Sequence, residues 1–162
     1  MLSSLSPEET NFQFHGFYRQ GYPCGPERPF IRVFVALHRF GVSKQVDMMV
    51  DSGSDVTTLQ PKDSLLMLEE SQFKRLGRPR YIQGIGGRVK SYTEEGAIGF
   101  LLPDKRICWV PTVFDITDPN SRSTLPSTLG NDILQFGTTA LNAVRRIVRI
   151  ELWLTNPSIT PS

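Results

Sequence analysis

The order of apolar and polar residues along the chain predicts an all-β domain built from short strands. Residues 30–37, Phe30-Ile31-Arg32-Val33-Phe34-Val35-Ala36-Leu37, are mostly β-branched and aromatic and predict a first strand. A turn at Phe40-Gly41-Val42-Ser43-Lys44 leads to its hairpin partner over residues 45–50. Further strands are expected at 80–83, 89–93, 96–102 and 107–114, with Pro103-Asp104-Lys105 turning between the last two. A closing strand at 147–153 alternates strictly, which puts Arg149 and Glu151 on one face. Helical spacing is rare. Pro61 opens a stretch, 61–76, whose apolar positions Leu65, Leu66, Leu68, Phe73 and Leu76 predict a short helix or helical loop. A second short helix is expected from Asn131 towards Phe136, resuming through 140–144, and residues 118–126 read as a long polar loop.

Before residue 29 the pattern loses its period. Ser6-Pro7-Glu8-Glu9 is compatible with a helix start, the aromatics Phe12, Phe14, Phe17 and Tyr18 follow, and Gly21, Pro23, Gly25 and Pro26 break whatever they begin. Residues 1–28 are therefore expected to be an extension, a candidate regulatory or self-cleaved segment. Residues 29–155 form the expected domain and 156–162 a tail. A length of 162 residues and an apolar fraction of 39% suffice for one domain with a real core. Eighteen basic against sixteen acidic residues leave a charge of +2, too even for a nucleic-acid partner. There is neither a signal-like apolar core in the first twenty residues nor a run of eighteen uncharged apolar residues, so no membrane association is expected, and a cytoplasmic location is. In a reducing compartment Cys24 and Cys108 would be free thiols.

Three segments carry candidate chemistry. Val50-Asp51-Ser52-Gly53-Ser54-Asp55-Val56-Thr57-Thr58 follows an apolar strand and delivers an acid into a turn. A carboxylate fixed there, a small hydroxyl residue to orient it, and a glycine that lets a substrate backbone approach are the parts an acid–base site needs. A turn that merely ends a strand uses the same residues. About thirty residues on, Tyr81-Ile82-Gln83-Gly84-Ile85-Gly86-Gly87-Arg88-Val89 sets three glycines around one isoleucine between extended stretches, a hairpin with a flexible tip. Forty residues further, Ser127-Thr128-Leu129-Gly130-Asn131-Asp132-Ile133-Leu134 gives a strand end, a close-packing glycine and a helix start.

In this order and spacing the three segments resemble the retropepsins, the retroviral-type aspartic proteases, over residues 28–154. The resemblance implies a closed, barrel-like acid-protease fold with a flap hairpin and one or two short helices. It also implies an aspartic endopeptidase that hydrolyses extended polypeptides without metal or cofactor. Asp51 would be the catalytic acid, Ser52 and Gly53 would support it, and Gly53, Asp55, Ile82, Gln83, Gly84, Ile85 and Gly86 would hold the substrate. The chain has one Asp-Ser-Gly element and such a mechanism needs two carboxylates, so the second Asp51 would come from another copy in a homodimer. In retropepsins terminal strands of both copies interleave, which makes 147–153 the expected dimer segment.

Two departures stand out. Serine replaces the family's frequent threonine at Ser52, which keeps the hydroxyl. Asn131 stands where the retroviral members typically carry an arginine paired with the carboxylate at the Asp55 position, so Arg28, Arg32 or Arg78 becomes a candidate replacement. The competing readings are weaker. A catalytically silent dimerisation or peptide-binding module on the same fold is the main alternative. The Gly84-Ile85-Gly86-Gly87 run lacks the spacing of a dinucleotide loop. His15 and His38 are not in metal-ligand spacing with a cysteine. Asp132 reads as a favourable charge at a helix start. Arg145 and Arg146 read as a solvated face, and Trp109 and Trp153 as core or interface packing.

Overall fold

The structure, a computed structural model, describes residues 9–84 and 87–162. In chain order its strands are β1 (Glu9–His15), β2 (Phe17–Gln20), β3 (Glu27–Leu37), β4 (Val42–Val50), β5 (Thr58–Leu59), β6 (Pro79–Gly84), β7 (Gly87–Leu101), β8 (Ile107–Thr117), β9 (Thr128–Leu129), β10 (Gly137–Asn142), β11 (Ile147–Thr155) and β12 (Ser158–Thr160). Three one-turn helices, α1 (Pro61–Ser64), α2 (Glu70–Phe73) and α3 (Asn131–Leu134), lie between them.

The predicted first hairpin is β3–β4, paired from Phe30↔Met49 to Leu37↔Val42. Along β4 the alternate residues Val46, Met48 and Val50 are buried, as a half-covered strand requires. Strand β3 then pairs with β7, β7 with β8, β8 with β5, β5 with β9, and β9 with β4. That circuit closes six strands on themselves, which removes their edges and encloses Phe100, Phe114, Ile98, Ile116, Leu59 and Leu129. Fully burying side chains of this size stabilises the fold by about 1.5–3 kcal/mol each. The two strands expected at 89–93 and 96–102 are one continuous β7: of the two acids between them Glu95 is exposed, and buried Glu94 is neutralised by Arg39, which donates to both its carboxylate oxygens at 2.9 and 2.7 Å.

The N-terminal stretch corrects the sequence reading. Residues 9–20 are strands of the folded domain, not an extension outside it. β1 pairs with β11 over seven positions, Glu9↔Thr155 to His15↔Arg149, and β2 pairs with β3. The period was present in Asn11-Phe12-Gln13-Phe14-His15, whose phenylalanines point inward, but it is only five residues long. Phe14 is buried and stacks on Phe100 of the barrel with ring centroids 4.6 Å apart.

The C-terminal third holds three more corrections. Residues 140–144 do not resume a helix; β10 and β11 form a hairpin, Gly137↔Leu152 to Asn142↔Ile147, and pairing overrides the local helix preference of Ala140 and Leu141. Its turn is fixed by Arg146, which is not a freely solvated side chain: it bonds the Glu27 carboxylate and the Tyr18 carbonyl, the latter at 2.9 Å. The expected tail is partly strand, since β12 pairs with β8 from Ser158↔Trp109 to Thr160↔Ile107.

Cys24 is exposed and Cys108 buried, both free, and burial pushes the Cys108 thiol up to about 11. Among the described residues no helix is long and apolar enough to cross a membrane.

Because β1 fills one side of β11 and delivers Phe14 to the core, removing residues 1–20 is expected to abolish cooperative unfolding. Circular dichroism during a thermal melt reads this directly. A truncated chain melting cooperatively within a few degrees of the full one would show the segment to be dispensable.

Candidate active site

Strand β4 ends at Val50 and hands the chain to Asp51. The parallel pairs Met49↔Thr128 and Val50↔Leu129 hold that end against β9, and the Asp51 amide donates to the Leu129 carbonyl at 3.1 Å. The turn is closed from within: the Gly53 amide donates to Asp51 Oδ1 at 3.0 Å and the Ser54 amide to the Asp51 carbonyl at 3.1 Å. After the turn the chain returns as β5, which meets β9 at Thr58↔Thr128 and runs parallel to β8. Asp51 is half-buried, whereas Ser52, Gly53 and Asp55 are exposed.

Gly130 fits where no other residue fits without movement. A Cβ there would lie 2.5 Å from the carbonyl carbon and oxygen of Val56, both rigid backbone atoms. This close approach lets the start of α3 bond the Asp51 loop directly, Asn131 amide to Ser54 carbonyl at 2.7 Å and Asp132 amide to Asp55 carbonyl at 3.1 Å. The Asp132 carboxylate then accepts from the Thr57 amide at 3.0 Å and from the Thr57 hydroxyl at 2.7 Å, while Thr57 Oγ1 accepts from the Gly130 amide at 3.1 Å. Thr57 is completely buried. Asp132 thus fastens two segments 75 residues apart while also standing, as expected, in the first turn of its helix, where Oδ1 accepts from the Ile133 amide at 3.1 Å. Ser127, also completely buried, ties the other side: its hydroxyl donates to Asp63 of α1 at 2.6 Å and accepts from the Gln60 amide at 2.9 Å.

Asn131 offers no charge, and among the described residues none of the three candidate arginines takes up the expected ion pair. Among the described residues the Asp55 carboxylate has no ion pair, and Arg28 and Arg78 form none. Arg32 is engaged elsewhere, with Asp47 at 2.8 Å, where Arg19 also bonds. Burial pushes the Asp47 carboxyl up, but the Arg32 hydrogen bond and the charges of Arg32, Arg19 and Lys62 outweigh it and hold the group below its ordinary value.

The expected flap is the β6–β7 hairpin, paired from Pro79↔Tyr92 to Gly84↔Gly87. Gly87 has φ of 109°, a left-handed conformation that side chains resist. Ile82 and Gln83 are exposed near the tip and Gly84 ends β6; Ile85 and Gly86 lie outside the described residues. The hairpin base is anchored by Arg80, whose guanidinium bonds the buried Asp115 carboxylate, Nε at 3.1 Å. The Asp115 amide in turn donates to the Thr57 carbonyl at 3.0 Å. A relay of bonds therefore runs from Asp132 through Thr57 and Asp115 to Arg80, joining α3, the Asp51 loop and the base of the β6–β7 hairpin.

A groove of about 890 Å³ lies elsewhere, among Trp109, Pro111, Phe136 and Trp153, and a smaller one of about 480 Å³ lies by Phe34 and Phe100. Neither includes any residue of the Asp51 loop. Trp109 donates from Nε1 to Thr160 at 2.8 Å, and Trp153 is half-exposed on the groove wall. Among the described residues no group of three His, Cys, Asp or Glu side chains is placed to hold a metal.

No family model and no curated protein sequence matches the chain. Among solved structures it is similar to a retropepsin-like aspartic protease from Rickettsia conorii, at 15% identity with a TM-score of 0.54, covering 92% of this chain and 100% of that one. It is also similar to EIAV protease complexed with the inhibitor HBY-793, at 22% identity with a TM-score of 0.42, covering 70% and 90%. The fold is retropepsin-like, as the closed barrel, the crossing at Gly130 and the near-complete overlap with the first of these agree in showing.

Replacing Asp132 by Asn sets an amide donor against the Thr57 donors and is expected to destabilise the protein by about 1–3 kcal/mol. Thr57→Val removes the hydroxyl it binds. Urea unfolding of both single variants and the pair should show strong non-additivity, and simple additivity would mean the two groups act independently.

Proposed function

We propose that the chain is an aspartic endopeptidase whose catalytic carboxylate is Asp51 and whose second carboxylate is Asp51 of another copy. The observation that supports this most directly is the Asp51-Ser52-Gly53 turn at the end of β4, clamped by β9 and by the Gly130 crossing. Such a clamp gives a carboxylate the fixed position that proton transfer requires. Two Asp51 carboxylates within a few ångströms do not both carry charge cheaply, so the pair shares a proton. The ionised member takes a proton from a water as that water attacks the scissile carbonyl. Its protonated twin donates to the developing oxyanion and then supports departure of the amine.

The neighbours follow from the same reading. The Ser52 hydroxyl braces the pair across the two-fold axis, and the Gly53 carbonyl and the Asp55 carboxylate bind the substrate main chain. Exposure of Ser52, Gly53 and Asp55 on a single chain is compatible with those roles. The hairpin spanning 82–89 closes over an extended peptide, whose backbone it meets as a strand would.

Asp51→Asn is expected to lower peptide cleavage at least about 100-fold, the scale of a lost general acid–base pair, while leaving melting and dimerisation close to wild type. Mass spectrometry of a peptide library across acid to neutral pH reads the loss. A well-folded wild-type dimer that cuts nothing in that library, yet binds peptide equally well with Asp51→Asn, would favour a silent peptide-binding module instead.

A further inference from the structure

The β6–β7 hairpin leaves the barrel at a definite row. Opposite Arg80 of β6 stands Ser91, the outermost β7 residue that pairs with β8, at Thr117, and the Asp118 amide adds one bond to the Lys90 carbonyl at 2.9 Å. Beyond this row, among the described residues, β6 pairs with β7 alone, Arg88 stacks over Tyr81 at 4.5 Å, and Tyr81, Ile82 and Gln83 are exposed. We propose that Arg80 is a positioning residue at this hinge: when the hairpin closes on a peptide, the guanidinium moves from one oxygen of Asp115 to a fork on both, and the fork holds the hairpin closed. The bound peptide is taken from the peptidase reading, on which the proposal rests.

The ion pair has an unused half. Arg80 Nε donates to Asp115 Oδ1 at 3.1 Å and a terminal guanidinium nitrogen donates to the same oxygen, while Oδ2 is buried with no partner among the described residues. Guanidinium and carboxylate match best as two parallel bonds, one to each oxygen, and a buried acceptor left unpaired is costly. A better arrangement therefore lies close by, reached by a small movement of the arginine. Ser91 stands on the same face of the sheet, by the alternation of strand residues, and its hydroxyl is likewise buried with no partner among the described residues. The polar groups around the hinge are thus incompletely bonded in the absence of a peptide.

The arginine is the side of the contact that can give. Asp115 is buried, pairs with Thr93 of β7 and in parallel with Thr58 of β5, and donates its amide to the Thr57 carbonyl at 3.0 Å. Thr57 is held in turn by Asp132. Arg80 belongs to an outer strand of the sheet, and its side chain is 49% exposed. A shift that forms the fork therefore moves β6 and carries the hairpin with it, against a carboxylate fixed to the Asp51 loop. The height of the hairpin over the acid is set at this pair.

The test compares Arg80→Lys, which keeps the charge and cannot fork, with the wild type in cleavage of a peptide taken from the library. KM should rise about tenfold at unchanged kcat, because the closed state is lost from binding and not from the chemical step. Asp115→Asn should do the same, and the double variant should raise KM no further than either alone, a coupling that a merely structural tie would not confine to KM. Arg80→Lys decides alone if Asp115→Asn does not fold. Cleavage by folded Arg80→Lys with KM within about twofold of wild type, or with kcat reduced and KM unchanged, overturns the inference and leaves the peptidase standing. If the wild type cuts nothing, mass spectrometry reads instead how much of the library is retained on immobilised protein. Retention about tenfold weaker with Arg80→Lys then removes the peptidase reading and supports the latch, and equal retention or none overturns both.

Discussion

The backbone crossing of Gly130 over Val56 is the contact on which the rest of the site depends. Without a Cβ at Gly130 the two segments approach closely enough for amides of α3 to bond carbonyls of the Asp51 loop, and for the Asp132 carboxylate to capture Thr57. A half-buried acid on a surface loop would otherwise sample many positions, since loops have few contacts of their own. Here the loop leaves β4 and returns as β5 while β9 pairs with both, so its two ends are held by a single strand. Backbone bonds from Asn131 and Asp132, together with the Thr57 bonds, join helix to loop; among the described residues no ion pair to Asp55 adds to them.

Outward from that crossing, order passes along hydrogen bonds in two directions. Through Thr57 and Asp115 it reaches Arg80 and the base of the β6–β7 hairpin. Through Ser127 it reaches Gln60 and Asp63, which set the start of α1. Buried polar groups of this kind stabilise modestly when satisfied and cost several times more when a partner is lost, so they specify one arrangement more than they strengthen it. The apolar strength lies in the closed six-stranded circuit and in Phe14, which ties the β1–β11–β10 sheet to the barrel. In that second sheet β11 is the middle strand, paired on both sides within the chain.

Much of this was legible in the order of residues. Strong β-branched and aromatic runs marked β3, β4, β8 and β11, and the glycines marked the flap hairpin and the tight crossing at Gly130. These features are local: alternation, turn chemistry and the absence of a side chain act over a few residues and leave their trace there. The short strands were not legible for the same reason. Five alternating residues in β1 and six neutral ones in β10 carry too little pattern to outweigh nearby glycines, prolines or helix-forming residues, and only their pairing with β11 makes them strands. Glu94 in β7 and Arg146 in the last hairpin turn were likewise decided by partners far along the chain, Arg39 and Glu27.

By itself the sequence determined that the chain is mostly β, that one acid sits at a strand end in a glycine-containing turn, and that a glycine hairpin and a second glycine crossing follow in order. Only the tertiary structure decided that the barrel closes, that Asp132 fastens Thr57, and that the segments 9–15 and 17–20 belong to the sheets. The physical reason is range. Propensity and turn geometry are properties of neighbouring residues, whereas closure, buried hydrogen bonds and edge exposure depend on which distant segments meet, and residues 57 and 132 meet across 75 positions of chain.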